Sequence, residues 1–178
     1  MAGQRLTDKT ALEQQAGSGD LLMVVDVNDT TGSSAGTSKK LDFKYVIQTD
    51  KFSLSNAEVQ DLAHSSPKTL ISALSGYMVT VYNVTVLATY ASSTESSSND
   101  LYFGYEASAS PSAYWKQVRD MMNGKTTDIS FQLMADPPAG GTLAATLLNK
   151  PFIMWSNAAF NGGWSCDVYV TYSYTKIL

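Results

Sequence analysis

Three closely spaced oxygen-bearing side chains, Asp26, Asn28 and Asp29, end an apolar run near the N-terminus. Clustered oxygen ligands are what Ca²⁺ takes, but the calcium-loop pattern needs a turn glycine and a closing bidentate glutamate. Counted from Asp26, Thr31 and Thr37 stand at those two places. These side chains are therefore expected to cap backbone groups at a strand end. The chain has one histidine, His64, and one cysteine, Cys166. A cysteine-cluster zinc site, an internal disulfide and a Ser-His-Asp relay all need more. His64 follows a helical pattern, and a helix dipole favours a histidine in the last turn. Cys166 lies between Trp164 and Val168 on an apolar stripe, so it reads as a small core residue with an inert thiol. Neither Asp128 with Asp136 nor Glu95 with Asp100 forms a glycosidase-type acid pair at sequence level. Gly140-Gly141 and Gly162-Gly163 lack the lysine and the strand–helix setting of a phosphate loop. Tyr102, Tyr105, Tyr114, Trp115, Trp155 and Trp164 can be drawn as a sugar-stacking platform, but Trp115 and Trp164 fall on inward stripes. The expectation is a non-enzymatic protein with no catalytic residue, no cofactor and no metal.

The elements that hold these residues follow from periodicity. Leu21 to Val27 is a nearly continuous apolar run of strand length, and Lys39 to Val46 alternates at Leu41, Phe43 and Tyr45. Together they predict a hairpin across the Gly/Ser-rich loop 28–38, too small to be stable alone. Two short helices are expected over 55–75. Ser55 and Glu58 form a capping box ahead of Val59, Leu62 and Ala63; Ser66-Pro67 starts a second turn through Leu70, Ile71 and Leu74 to Gly76. Beyond Tyr77 the period becomes two. Strands are expected over 78–90, 101–105, 129–135, 152–155 and 164–174, with inward Trp164, Cys166, Val168, Val170 and Tyr172. In 78–90 the alternation is imperfect, since Val79, Val81 and Leu87 sit among the odd positions. Pro137-Pro138-Ala139-Gly140-Gly141 marks a turn, and Asn161-Gly162-Gly163 feeds the last strand. Ser110 and Pro111 open a helix whose stripe is Tyr114, Trp115, Val118, Met121 and Met122, closed by Asn123-Gly124. The fold class expected is mainly β: a jelly-roll-like antiparallel β-sandwich over 76–178 with one covering helix, a helical linker over 51–75 and a hairpin anchor within 1–50.

Composition narrows function further. Apolar residues are 44% of the 178 and charged residues 16%, below the usual ~25%. Such a chain can bury a core. A net charge of −4 with 12 scattered Lys and Arg leaves no basic stripe for nucleic acid. No stretch approaches the ~18 continuous apolar residues of a membrane span. Gln4, Arg5, Asp8, Lys9 and Glu13 break up any secretory leader. Ser and Thr together number 39, about a fifth of the chain, beside 10 Tyr and 12 Gly, which suits a half-solvated sheet on an external surface.

The segment Gly19-Asp20-Leu21-Leu22-Met23-Val24-Val25-Asp26-Val27-Asn28-Asp29-Thr30-Thr31, followed by Gly36-Thr37-Ser38-Lys39-Lys40-Leu41, resembles the anchor region of bacteriophage head-fibre and tail-fibre proteins. There a Gly/Asp-led apolar strand ending in Asp is followed by a small polar loop and a Gly-Thr-x-Lys-Lys/Arg-apolar stretch. A helix-prone leader like Leu6 to Leu12 precedes it. The resemblance spans about residues 5–50. It implies a virion-anchoring segment, for which the residues are Leu21, Leu22, Val24, Val25, Val27, Leu41 and Phe43, and a homotrimer. The partners it implies are further copies of the chain and virion proteins such as the major capsid protein. The length favours a head fibre, decoration or collar protein on the particle surface, made in the host cytoplasm. The alternative is an adhesin or tail-fibre module that touches host surface glycans.

Overall fold

The computed structural model describes residues 21–32, 34–42, 45–107, 115–134 and 147–177. The chain divides into two compact units, residues 1–46 and 47–178. In the first, β1 (Leu21–Asp26) and β2 (Thr37–Asp42) pair antiparallel, with Leu22 opposite Leu41 and Val24 opposite Lys39. The expected hairpin is present, and its return strand begins two residues earlier than Lys39. Phe43, like Ser110, Pro111, Tyr114, Ala135, Asp136 and the Pro-Pro-Ala-Gly-Gly turn, lies outside the described residues.

The second unit is mainly β, with two four-stranded antiparallel sheets. One has the order β3 (Gln48–Leu54), β10 (Trp164–Lys176), β5 (Tyr77–Tyr90), β8 (Ile129–Leu133). The other runs β4 (Lys68–Ile71), β9 (Phe152–Ser156), β6 (Leu101–Gly104), β7 (Lys116–Val118). The strands expected over 78–90, 101–105, 129–135, 152–155 and 164–174 are present as β5, β6, β8, β9 and β10, with β8 ending at Leu133; the return strand expected over 39–46 ends at Asp42, and Tyr45 and Val46 lie in a turn. Residues from both sheets share one core, including Val84, Val86, Phe103, Phe152, Met154, Trp164, Val168 and Val170. A smaller cluster of Tyr102, Ile153 and Trp155 takes the alternate residues of β6 and β9, so the reverse face of that sheet is also apolar and buried. Tyr102 and Trp155 stack there at 5.5 Å.

The uneven alternation in 78–90 has a local cause. Thr171 pairs with Asn83 but Tyr172 with Val81, which leaves Tyr82 as an extra, unpaired residue on β5. Such a bulge shifts the inward set by one. Val79 and Val81 point inward before it, and Val84, Val86 and Ala88 after it. Tyr82 turns outward, its hydroxyl 3.0 Å from Ser173 Oγ.

Three expected elements differ. The first linker helix is present as α1 (Asn56–Asp61), with the Ser55–Glu58 capping box formed and Val59 buried. The second is absent: residues 68–71 are β4, paired with β9. Four residues fit either period, and the open edge of β9 supplies hydrogen-bond partners that an isolated helical turn lacks. The covering helix is also absent over 115–122. Lys116–Val118 is β7, paired with β6, and Asp120 has φ +45°, which no right-handed helix accommodates. Trp115, Val118, Met121 and Met122 are nevertheless all buried, so the stripe marked core residues and not a helix. Finally, the segment 51–75, expected as a helical linker, joins the sheets together with Gln48–Asp50. These residues supply β3, α1 and β4 to the sandwich, and β3 covers the edge of β10 from Cys166 to Tyr172.

Candidate anchoring surface

Among the described residues the hairpin carries a row of exposed apolar side chains. β1 holds no charge between Leu21 and Val25, and its β-branched content favours extended backbone. Successive side chains leave opposite faces, so the run places Met23 and Val25 on one side and Leu22 and Val24 on the other. All four are exposed, as is Val27: 70% for Met23, 58% for Val25 and 69% for Val27. Leu41, opposite Leu22, is half-buried. Leu22, Met23, Ser38, Lys39 and Lys40 line an open groove of about 320 Å³. Among the described residues β1 pairs with β2 alone. An apolar strand with an open edge invites another strand.

The loop at the end of β1 is self-contained. Asp26 Oδ1 accepts the Asn28 N–H at 3.0 Å, and Asp29 Oδ1 accepts the N–H and hydroxyl of Thr31 at 3.0 and 2.6 Å. Gly32 N–H donates to Thr37 Oγ1 at 2.9 Å. The ammonium of Lys39 pairs with Asp29. That contact, with the Thr31 hydrogen bonds, holds the Asp29 carboxyl down at about 2. The carboxylates of Asp26 and Asp29 cap the strand end and its loop, and Asn28 contributes its backbone N–H.

The remaining chemistry-bearing residues are dispersed. His64 is exposed in the turn beyond α1, closed by Ser66 N–H to Ala63 O at 3.0 Å, not in the last helical turn. Cys166 is buried, and burial followed by the nearby Asp167 pushes its thiol up to about 12. Asp128 accepts the Tyr90 N–H at 2.9 Å. Asp100 accepts from Gln117 Nε2 at 2.5 Å and from Asp120 N–H at 3.2 Å. Five of the six residues drawn as a sugar platform are described, and none of them presents an exposed ring. Trp155 and Trp164 are fully buried, Trp115 and Tyr102 are buried, and Tyr105 donates its hydroxyl to Val79 O at 2.7 Å.

Sequence reasoning named Glu95 only as half of a rejected acid pair and missed what it holds. It is 1% exposed, and its carboxylate accepts from Ser97 N–H at 2.9 Å, Asn161 N–H at 2.8 Å, Gly162 N–H at 2.7 Å and the Ser97 hydroxyl. Burial pushes this carboxyl up, but the hydrogen bonds from Ser97, Gly162 and Asn161 outweigh it and hold the group below its ordinary value. A carboxylate occupied by four donors is a staple between loops and not an acid or base. Ser97 is a neighbour, but its other two partners lie more than sixty positions away, at 161 and 162, and no local pattern signals that.

No protein-family model matches the chain, and no curated protein matches it.

Proposed function

We propose that this chain is a non-enzymatic structural protein of a bacteriophage particle, a head fibre or a capsid decoration or collar protein. Its hairpin attaches it and its sandwich is the displayed body. The observation that carries this reading is the exposure of Leu22, Met23, Val24, Val25 and, just beyond the strand, Val27 on a sheet that among the described residues has only two strands. A soluble monomer gains nothing by keeping such a row in water, and large exposed apolar patches mark interaction sites. Strand addition suits this segment, because backbone hydrogen bonds supply attraction while the apolar side chains are covered from both faces. The assignment to a phage particle is supported by the likeness of residues 19–41 to fibre anchors. In this reading three copies associate through their hairpins, and the assembly docks on a virion protein such as the major capsid protein. The test is composition and sedimentation. Mass spectrometry of purified particles is expected to find the chain at a fixed copy number, and the purified full chain is expected to sediment as an oligomer at micromolar concentration. Absence from particles together with a monomeric full chain would overturn it.

A further inference from the structure

We infer that Asn123 and Asn161 are latent deamidation sites, and that Glu95 keeps both closed. The chain contains two Asn-Gly pairs, Asn123-Gly124 and Asn161-Gly162. In such a pair the glycine nitrogen loses its proton and attacks the asparagine Cγ. A new C–N bond forms, the bond to the side-chain nitrogen breaks and ammonia leaves. Water then opens the succinimide at either carbonyl, giving aspartate or isoaspartate. Glycine makes this fast because no side chain hinders the attack.

Both glycine N–H groups are held by one residue. Gly162 N–H donates to Glu95 Oε2 at 2.7 Å, and Gly124 N–H donates to the Glu95 backbone oxygen at 2.9 Å. A hydrogen bond to an acceptor stabilises the protonated nitrogen, and beside a carboxylate the amide anion also meets a like charge. The electrophile is restrained as well. Asn161 Oδ1 accepts the Ser96 N–H at 3.0 Å, and its Nδ2 donates to Ser96 Oγ at 3.0 Å. Attack at Cγ must break these bonds. Asn123 is tied to the same residue through a parallel bridge to Glu95.

The fold needs glycine at both places, so the reactive pairs are not dispensable. A Cβ on Gly162 would lie 2.8 Å from Glu95 N and from Trp164 Cδ1, and Gly124 has φ +67°. Asn161 is exposed and Asn123 half-buried, so water reaches the first freely. Loop 92–100 therefore has a chemical role besides packing: it holds closed the two positions where the chain would otherwise age. This inference is independent of the assembly role.

The experiment ages the full chain in mildly alkaline buffer, folded and in urea, and follows aspartate and isoaspartate at 123 and 161 by site-resolved peptide mass spectrometry. Folded protein is expected to react at least about tenfold more slowly than unfolded at both sites, because reaction requires local opening. Glu95→Gln leaves one acceptor oxygen for four donors and places an NH₂ against N–H groups. It is expected to speed Asn161 about ten- to hundredfold and Asn123 less, since Gly124 bonds the backbone oxygen. Equal folded and unfolded rates in the wild type would overturn the inference, as would a folded Glu95→Gln chain with an unchanged rate at Asn161. If Glu95→Gln does not fold, hydrogen exchange on the wild type decides: slow Gly124 and Gly162 amides support the inference and fast ones refute it.

Discussion

Val25→Lys tests the proposed anchoring surface most directly. Val25 is 58% exposed on β1 and sits opposite Ser38 of β2, so most of a lysine side chain there projects into solvent in the monomer. A surface change of this kind costs the folded monomer within about 0.5 kcal/mol. Assembly is different. A fully buried valine contributes roughly 1.5–2 kcal/mol, so covering the exposed part of Val25 is worth about 1 kcal/mol. Summed over the exposed parts of Leu22, Met23, Val24, Val25 and Val27, the row supplies roughly 5 kcal/mol per chain. That is close to the lower end of the ~4–15 kcal/mol that association costs in lost freedom, so the assembly is sensitive to a single position. Val25→Lys removes about 1 kcal/mol. It also adds the desolvation of an ammonium, for a total of ~2–3 kcal/mol, or an association weaker by about thirty- to hundred-and-fiftyfold. Sedimentation velocity over a concentration series reads this as a shift of the oligomer–monomer transition to higher concentration, with far-UV circular dichroism unchanged. A Val25→Lys chain that assembles at wild-type concentration would refute the claim that this face is covered in the oligomer.

Other outcomes follow from the sandwich. A chain beginning at Ile47 is expected to stay folded and lose self-association, whereas one beginning at Ser55 loses β3 and bares the edge of β10 from Cys166 to Tyr172; cooperative thermal unfolding by the first and aggregation of the second are the readouts. Cys166→Asp is expected to destabilise by several kcal/mol, because it buries a carboxylate without partners between Trp164 and Val168; a soluble, fully folded variant would refute the inward direction of that strand face. Ser55→Ala removes the capping-box acceptor for Glu58 N–H and should cost about 1 kcal/mol by urea unfolding. Because the Glu95 carboxyl lies below its ordinary value, its contribution is present above the unfolded pKa near ~4.3 and is lost as pH falls through the lower folded value. Glu95→Gln should therefore flatten the acid limb of the stability profile, and an unchanged limb would show that other carboxylates govern it.

The sequence alone determined the mainly-β class, the hairpin with its apolar row, the α1 capping box and the burial of Trp115, Val118, Met121, Met122, Trp164 and Cys166. These are matters of side-chain chemistry and short spacing, which a linear pattern carries. The bulge at Tyr82 was present there only as a break in alternation, because the residue opposite it, on β10, is not written in the neighbouring letters. Whether 68–71 and 115–122 become helix or strand was decided by tertiary structure. Each segment is too short for periodicity to arbitrate, and the unpaired edges of β9 and β6 fix the outcome by offering backbone partners. Glu95 belongs wholly to the fold. Its chemistry as a polar loop residue is ordinary until strand packing brings 161 and 162 to its carboxylate and Gly124 to its backbone oxygen. Contacts that distant in sequence are set by where the sheets place their loops, not by the residues on either side.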